Sequence, residues 1–268
     1  MTREERIAVF ADTVQRHMPV DVENKFYYGN LQGGAYLKKA ECATCSPTSI
    51  YMVHGGTVNT AYEYADTSRV AMLNFANAVR YGGFVDEGSN AQEENICRCT
   101  NLFNVLGEEE CQAEYYMPNL RELRNHPKVD LGTSRIIYSR GITIFKDDTT
   151  YAEKTPRKAD VITCASPNAH LSNKVAFEIY TYRIEQIVLS ALENKAKTLV
   201  LGAWGCGAFG QNPYVMARAF AVVLNKYNKL FDRIIFAIKA TTKERGDDMY
   251  EVFKLVLEVF YKGKVLEK

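Results

Sequence analysis

Three consecutive polar residues, Gln92-Glu93-Glu94, are the strongest candidates for chemistry in this sequence. They follow a loop with three glycines, residues 81–90, which itself follows a short apolar run. A carboxyl group held beside a reacting bond can protonate a leaving oxygen and then activate water. The alternative is structural, because acidic residues in the first turn of a helix interact favourably with its dipole. The pattern predicts an acid–base site or a capped helix here.

A second glycine-rich loop, residues 202–210, has the sequence GAWGCGAFG. Glycine lets backbone N–H groups approach a phosphate closely, and the helix that follows adds a favourable dipole. The spacing matches neither a P-loop nor the G-x-G-x-x-G pattern of dinucleotide-binding folds. Trp204 and Phe209 are costly to expose unless they pack or stack on something. We therefore favour a diphosphate ligand over a tight turn whose glycines only permit close packing.

Apolar runs and amphipathic stretches alternate around these two loops, so the loops join strands to helices. Strand–loop–helix repeats predict an α/β fold with a mixed, mainly parallel sheet between two helical layers. In such sheets ligands bind at the carboxyl ends of the strands, where both loops lie. The predicted strands are 70–76, 135–139, 142–145, 159–165, 198–203 and 233–238. The predicted helices begin near residue 91 and cover 175–195, 214–227 and 249–261.

The N-terminal part is harder to interpret. Ile7, Phe10, Ala11 and Val14 have helical spacing, and Thr2 with Glu5 has the spacing of a capping box. Residues 20–55 show no regular pattern, and residues 61–70 are weakly helical or extended. We expect residues 1–65 to form a partly helical extension packed on the core, and residues 66–268 to form the catalytic domain.

Composition excludes several functional classes. The 268 residues include 33 basic and 32 acidic side chains, a net charge of +1, which argues against a strongly basic protein that binds duplex nucleic acid. The longest apolar run, six residues at 219–224, is far short of the roughly 18 needed to span a membrane. An odd number of cysteines, seven, indicates reduced thiols, so a cytoplasmic protein is expected.

Metal and histidine chemistry find little support. Cys42-x-x-Cys45 has the spacing of half a zinc site, but no second pair with that spacing follows. His54, beside two glycines, could contact a ligand, although a lone histidine is more often structural. Lys239 is more simply a surface charge. No metal and no cofactor are expected.

The two loops together resemble the signature of the bacterial-type poly(ADP-ribose) glycohydrolases, a branch of the macrodomains. That signature is a glycine triplet, six to eight residues, and then Gln-Glu-Glu. Gly82 and Gly83, followed by Phe84, fit the last two glycines, and Tyr81 replaces the first. A tyrosine at positive φ would be strained. The second loop is similar to the diphosphate-binding loop of the family, and the resemblance runs from about residue 66 onwards.

This resemblance implies a three-layer α/β/α macrodomain that cleaves the ribose–ribose bond of poly(ADP-ribose) without a metal. It implies that Glu94 is the catalytic acid and then base, that Glu93 holds ribose hydroxyls, that Gln92 supports the loop and that Asn77 contacts the distal ribose. An acid that acts near neutral pH needs a raised pKa, which burial against Phe84 or Phe209 would provide. The remaining substrate-binding residues implied are Gly82, Gly83, Phe84, Gly202, Trp204, Gly205, Cys206, Gly207, Ala208, Phe209 and Gly210.

Two alternatives stay open at this point. One keeps the site but removes ADP-ribose from a mono-modified protein, a nucleobase or a nucleotide. The other is a non-catalytic module that binds ADP-ribose. The adjacent glutamates favour catalysis, whereas Tyr81 favours the alternatives. The expected partners are poly(ADP-ribose), ADP-ribose and ADP-ribosylated proteins.

Overall fold

Eight strands form one mixed sheet in the computed structural model, which describes residues 1–16, 22–127, 131–168, 171–239 and 249–268. The order is β1-β4-β5-β3-β6-β7-β2-β8. The run from β5 to β8 is parallel, whereas β4 is antiparallel to both β1 and β5. The strands are β1 Glu23–Tyr27, β2 Ile50–His54, β3 Val70–Ala76, β4 Ile136–Lys146, β5 Glu153–Ala165, β6 Thr198–Leu201, β7 Arg233–Ile238 and β8 Val265–Glu267.

Helices cover both faces of this sheet. Alternate residues of β3 enter different cores: Ala71 and Leu73 pack in one cluster, Val70 and Met72 in the other. Such alternation is what a strand buried on both faces requires. The three-layer α/β/α architecture with a mainly parallel sheet is therefore confirmed. The helices are α1 Arg3–Gln15, α2 Gly34–Cys42, α3 Thr57–Tyr64, α4 Gln92–Cys99, α5 Leu102–Leu106, α6 Glu109–Cys111, α7 Met117–Asn125, α8 Asn173–Glu193, α9 Pro213–Tyr227 and α10 Met249–Phe260.

Most predicted elements are present, with one clear correction. β3 and β7 have the predicted bounds, and the capping box of Thr2 and Glu5 is formed. The two strands predicted at 135–139 and 142–145 are wrong, because they are one strand, β4. Its register shifts between Ser139 and Ile142, and Gly141 adopts a φ of 80° there. A bulge with a glycine at positive φ lets a strand continue past an interruption of its pattern.

Residues 23–54 contribute two strands, β1 and β2, to the sheet. β1 is an edge strand, whereas β2 lies between β7 and β8. α3 begins at Thr57, four residues before the predicted segment. The boundary between residues 65 and 66 stays a prediction, but the two strands before it complete the sheet. None of the described helices is long and apolar enough to cross a membrane.

Candidate active site

The carboxyl end of β3 is held by the amide side chain of Gln92. β6 pairs with β3 only over Val70–Met72, so the later part of β3 lacks a partner strand on that side. Gln92 Oε1 accepts from the Phe75 N–H at 2.9 Å, and Nε2 donates to the Leu73 carbonyl at 2.7 Å. The amide thus replaces the missing strand backbone. Gln92 supports the end of β3, whereas support of the glycine loop was predicted.

Glu93 lies under the first glycine loop, residues 81–90, and is 3% exposed. Its Oε2 accepts from the Asn77 N–H at 2.7 Å, and its Oε1 accepts from the Asn74 amide at 3.3 Å. Burial raises the pKa of Glu93 to about 8, and the neighbouring Glu94 contributes in the same direction. At neutral pH this carboxyl group therefore keeps its proton.

Glu94 is also buried, at 6% exposure, but its two oxygens differ. Oε1 accepts from the Phe84 N–H at 3.0 Å. Oε2 is buried and has no hydrogen-bond partner among the described residues. Buried carboxylate oxygens are rarely left unpaired without a functional reason. Glu94 therefore keeps one oxygen without a partner among the described residues, whereas both oxygens of Glu93 are occupied.

The glycines of the first loop make room for these carboxyl groups. A Cβ at Gly83 would lie 2.4 Å from Glu94 Oε1, and one at Gly82 would lie 2.5 Å from the Phe103 ring. Their φ angles are 60° and 69°. Tyr81 does not share this conformation, since it is absent from the positive-φ residues. The strain expected at Tyr81 is therefore wrong. Its ring centroid lies 4.8 Å from that of Phe103.

The second glycine loop, residues 202–210, is fixed from beneath by Trp204. This indole is fully buried, donates from Nε1 to the Cys164 carbonyl at 3.2 Å and packs edge-on against Tyr180. The internal hydrogen bonds of the loop use the N–H groups of Trp204, Cys206, Gly210 and Gln211. The prediction that Cys206 offers its N–H to a ligand is therefore wrong, because that N–H bonds to the Ala203 carbonyl at 3.1 Å.

A cavity of about 420 Å³ lies between the two loops. Four predicted residues do not line it: Gly82 faces the Phe103 ring, Gly202 faces the Ala237 carbonyl and the Phe75 ring, Cys206 is buried, and Gly210 is exposed. Its size is within the range of small-molecule pockets. The predicted residues that do line it are Asn77, Gly83, Phe84, Gln92, Glu93, Glu94, Trp204, Gly205, Gly207, Ala208 and Phe209.

Neighbouring residues orient the side chains of Asn77 and Phe84. Asn77 Oδ1 accepts from the N–H groups of Val79 and Arg80, at 2.9 and 3.0 Å, which leaves its Nδ2 as the group free to donate. The Phe84 ring is 43% exposed, and the Arg80 guanidinium lies 4.4 Å from its centroid. Arg80 is itself paired with Asp86 and Glu87, at 2.8 Å each. The loop therefore presents an aromatic face to the cavity.

Sequence reasoning missed the far wall of the cavity. It is formed by Gly55–Val58, Ala237–Lys239, Asp148 and Ser166. The Asp148 carboxylate is buried and accepts from the Val58 and Asn59 N–H groups at 2.9 and 3.1 Å, so it caps α3 from the β4–β5 connection. The pair of glycines after β2 could have indicated this part of the cavity from the sequence. Asp148 could not, because it caps a helix that lies 90 residues away in the chain.

The cysteines and charged residues provide no metal centre in the described part of the chain. No group of three or more histidine, cysteine or acidic side chains is placed to hold a metal ion there. Cys97, Cys99 and Cys164 are buried, and Cys42 and Cys45 are exposed. Lys239 is exposed but also donates to the Asp148 carbonyl at 3.2 Å, so it is more than a surface charge.

Comparison with known proteins agrees with this geometry. Two solved structures are similar over nearly their whole length. One is a poly(ADP-ribose) glycohydrolase (PARG) from Thermomonospora curvata, 24% identical, covering 94% of this chain and 99% of that one with a TM-score of 0.79. The other is a PARG from Deinococcus radiodurans in complex with ADP-ribose, 25% identical, covering 93% and 97% with a TM-score of 0.74.

The sequence also matches a family description directly. A comparison with curated proteins found no match. The description "Microbial-type PARG, catalytic domain" matches residues 12–147, which include β1 to β4 and the first glycine loop with its glutamates. That match covers just over half of the 268 residues. The chain belongs to the microbial-type poly(ADP-ribose) glycohydrolase family.

Proposed function

We propose that this protein hydrolyses the O-glycosidic ribose–ribose bond of poly(ADP-ribose) and releases ADP-ribose, with Glu94 as the reacting carboxyl group. Family membership supports the reaction. One observation carries the assignment of Glu94: of the two buried glutamates that line the cavity, only Glu94 has an oxygen without an internal partner. Glu93, whose two oxygens are both bonded, positions the substrate.

The reaction proceeds through one carboxyl group that acts twice. Glu94 gives its proton to the bridging oxygen as the bond to the ribose carbon breaks, and positive charge develops on that ribose. Its carboxylate then takes a proton from the water that attacks this carbon, which restores the acid. Common glycosidases place two carboxyl groups on opposite sides of the bond. Adjacent residues on α4 diverge by about 100°, so Glu93 and Glu94 are unsuited to that arrangement.

Burial prepares the glutamate pair for this chemistry. Because the pKa of Glu93 is raised to about 8, the pair holds at least one proton at neutral pH. Two adjacent buried carboxylates would repel each other, and a proton held by Glu93 removes that repulsion. Protonated Glu93 carries an O–H group close to the reacting ribose. Asn77 Nδ2 adds a second donor on the same side.

The second loop binds the diphosphate in this proposal. The internal bonds of the loop leave the N–H groups of Gly205, Gly207, Ala208 and Phe209 for a ligand. These residues line the cavity, and Gly207 and Ala208 are exposed. The Phe209 ring, which is half-buried, packs on a ribose. The seven free thiols fit the cytoplasm, which stays the predicted location.

Release of ADP-ribose from purified poly(ADP-ribose) tests the proposal with wild type and a Glu94→Gln variant. Glutamine keeps the bond to the Phe84 N–H but cannot transfer a proton, so we expect a loss of about 10²- to 10⁴-fold in kcat. Binding of ADP-ribose and the unfolding curve stay within error of wild type. Equal release by both proteins would remove Glu94 from the reaction. Binding without release by wild type would instead support a non-catalytic ADP-ribose module.

A further inference from the structure

The first glycine loop is tied to α4 at two points that lie one helical turn apart. Phe84 donates its N–H to Glu94 Oε1 at 3.0 Å. Arg98, which follows Glu94 by one turn, donates from Nη2 to the Ser89 carbonyl. Side chains four residues apart lie on the same face of a helix, so one face of α4 makes both contacts. The segment 84–89 is thereby held between the reacting glutamate and an arginine.

Hydrogen bonds inside this segment connect its two ends. The Ser89 N–H donates to the Phe84 carbonyl at 3.1 Å, and the Glu87 N–H donates to the same carbonyl at 3.1 Å. The segment includes a short 3₁₀ turn, Val85–Glu87. A displacement of Ser89 is therefore passed to Phe84, whose N–H fixes the Glu94 carboxyl group.

Arg98 is a costly side chain for this position. It is fully buried, and no carboxylate among the described residues forms an ion pair with it. Burial of an unpaired charge is unfavourable, and an apolar side chain of similar size would pack at a lower cost. What a guanidinium adds is several donors in a fixed plane. Its Nε donates to the Arg6 carbonyl at 3.3 Å, so one side chain joins the first loop, α1 and α4.

Two arginines of α1 hold the same segment. Arg3 donates from Nε to the Glu87 carbonyl at 2.6 Å. Arg6 donates from Nε to the Gly88 carbonyl, also at 2.6 Å. With Arg98, three arginines thus bond to three consecutive carbonyl groups of the loop. A Cβ at Gly88 would lie 2.7 Å from the Arg3 carbonyl, so α1 and the loop are in close contact.

We infer that Arg98 is a positioning residue for the proposed reaction: by holding Ser89, it sets the direction of the Glu94 carboxyl group. The inference rests on the proposed function, because that function makes Glu94 the acid. The chain offers a matched control in Arg183, which is 3% exposed. Arg183 also donates to backbone carbonyl groups, among them that of Ala165 at 2.9 Å, but these partners lie outside both glycine loops.

Arg98→Lys and Arg183→Lys test the inference with two substrates. One is poly(ADP-ribose), and the other is ADP-ribose that carries 4-nitrophenol on the ribose carbon that is attacked, a leaving group that needs no proton. For Arg98→Lys we expect kcat on the polymer to fall by about 10- to 100-fold, because a small displacement of a reacting group has this effect. The fall on the nitrophenyl substrate is less than about threefold.

Two further measurements separate positioning from a purely structural role. In Arg98→Lys the affinity for ADP-ribose stays within about threefold of wild type, because the second loop is unchanged. In Arg183→Lys both kcat values stay within about twofold of wild type, while urea unfolding shows a lower free energy of unfolding.

A second pair of variants decides the question if Arg98→Lys does not fold. Arg3 is exposed and Arg6 is half-buried, so Arg3→Gln combined with Arg6→Gln removes two bonds to the loop at the surface of the protein. We expect kcat on the polymer to fall by about three- to tenfold, and again by less on the nitrophenyl substrate. Arg121→Gln combined with Arg124→Gln, at two exposed positions of α7, makes the same charge change without this effect.

Two outcomes overturn the inference. A wild-type kcat on the polymer in Arg98→Lys means that the arginine only stabilises the core. Equal losses on the two substrates mean that it does not act through the acid. The proposed function fails separately, if wild type itself releases no ADP-ribose from the polymer, and Arg98 then has no reaction to support.

Discussion

The two glycine loops border one cavity but are held in place by opposite means. Polar side chains fix the first: Glu93 and Glu94 accept from backbone N–H groups around it, and both are buried under it. A buried aromatic side chain, Trp204, fixes the second from the core side. The first loop therefore covers ionisable groups, and the second leaves backbone N–H groups for a ligand. A proton-transfer site gains from desolvation, whereas an anion site needs donors that are already free.

The largest difference in effect between the two loops is expected when one glycine in each loop is replaced by alanine. Gly83→Ala places a Cβ 2.4 Å from Glu94 Oε1, at a φ of 60°, so it displaces the reacting carboxyl group. We expect a fall of more than about 100-fold in kcat/KM, since displacement of a reacting group by 1 Å can cost this much. Gly207→Ala meets no atom within 4 Å, so the unfolding free energy stays within about 0.5 kcal/mol of wild type.

ADP-ribose release and urea unfolding of both variants check this contrast. Gly34→Ala serves as a neutral control, because its Cβ also meets nothing within 4 Å and it lies on α2, outside the cavity. A similar loss of activity in Gly83→Ala and Gly207→Ala would contradict the difference between the two loops. In that case the first loop would only bind substrate.

The buried carboxyl group of Glu93, under the first loop, makes the free energy of unfolding depend on pH. The pKa of Glu93 is about 8 in the folded protein, whereas the ordinary value for a glutamate is 4.5. Between these pH values the folded state keeps a proton that the unfolded state releases. Raising the pH then favours unfolding, by at most about 1.4 kcal/mol per pH unit, until the folded pKa is passed. Glu93→Gln removes this slope. Urea unfolding at pH 5, 6.5 and 8 measures the difference, and parallel curves for the two proteins contradict it.

The sequence predicted what depends on local pattern. The apolar run of β3, the two loops and the glutamates after the first loop are all contiguous in the chain. β1 was missed because an edge strand that is largely half-exposed carries charged and polar residues, Glu23-Asn24-Lys25, in place of an apolar run. Asp148 was missed because its partners on α3 are brought together only by the sheet order. Patterns within one element do not specify which elements become neighbours.

The aromatic residues show the same limit at the site. Trp204 and Phe209 were both expected at the ligand. Both line the cavity, but the Trp204 side chain is fully buried, whereas Phe209 is half-buried. Tyr81 was expected to strain its loop, but the positive φ angles that a side chain would oppose are those of Gly82, Gly83 and Gly88. Residue type shows that an aromatic side chain needs a partner, whereas its direction follows from the backbone of the whole loop.

The smallest expected effects are those of substituting the two aromatic residues of the second loop, one of which supports the loop while the other faces the ligand. Trp204→Phe removes the bond to the Cys164 carbonyl and leaves space beside Tyr180, so we expect a loss of about 2 kcal/mol in unfolding free energy. Phe209→Leu, which changes a half-buried ring at the cavity, lowers ADP-ribose affinity several-fold and stability by less than about 1 kcal/mol. Urea unfolding and ADP-ribose titration on both variants separate the two roles. If Trp204→Phe weakened ligand binding while stability stayed unchanged, the indole would belong to the ligand site. The two loops would then no longer differ in being fixed from the core side and by carboxyl groups.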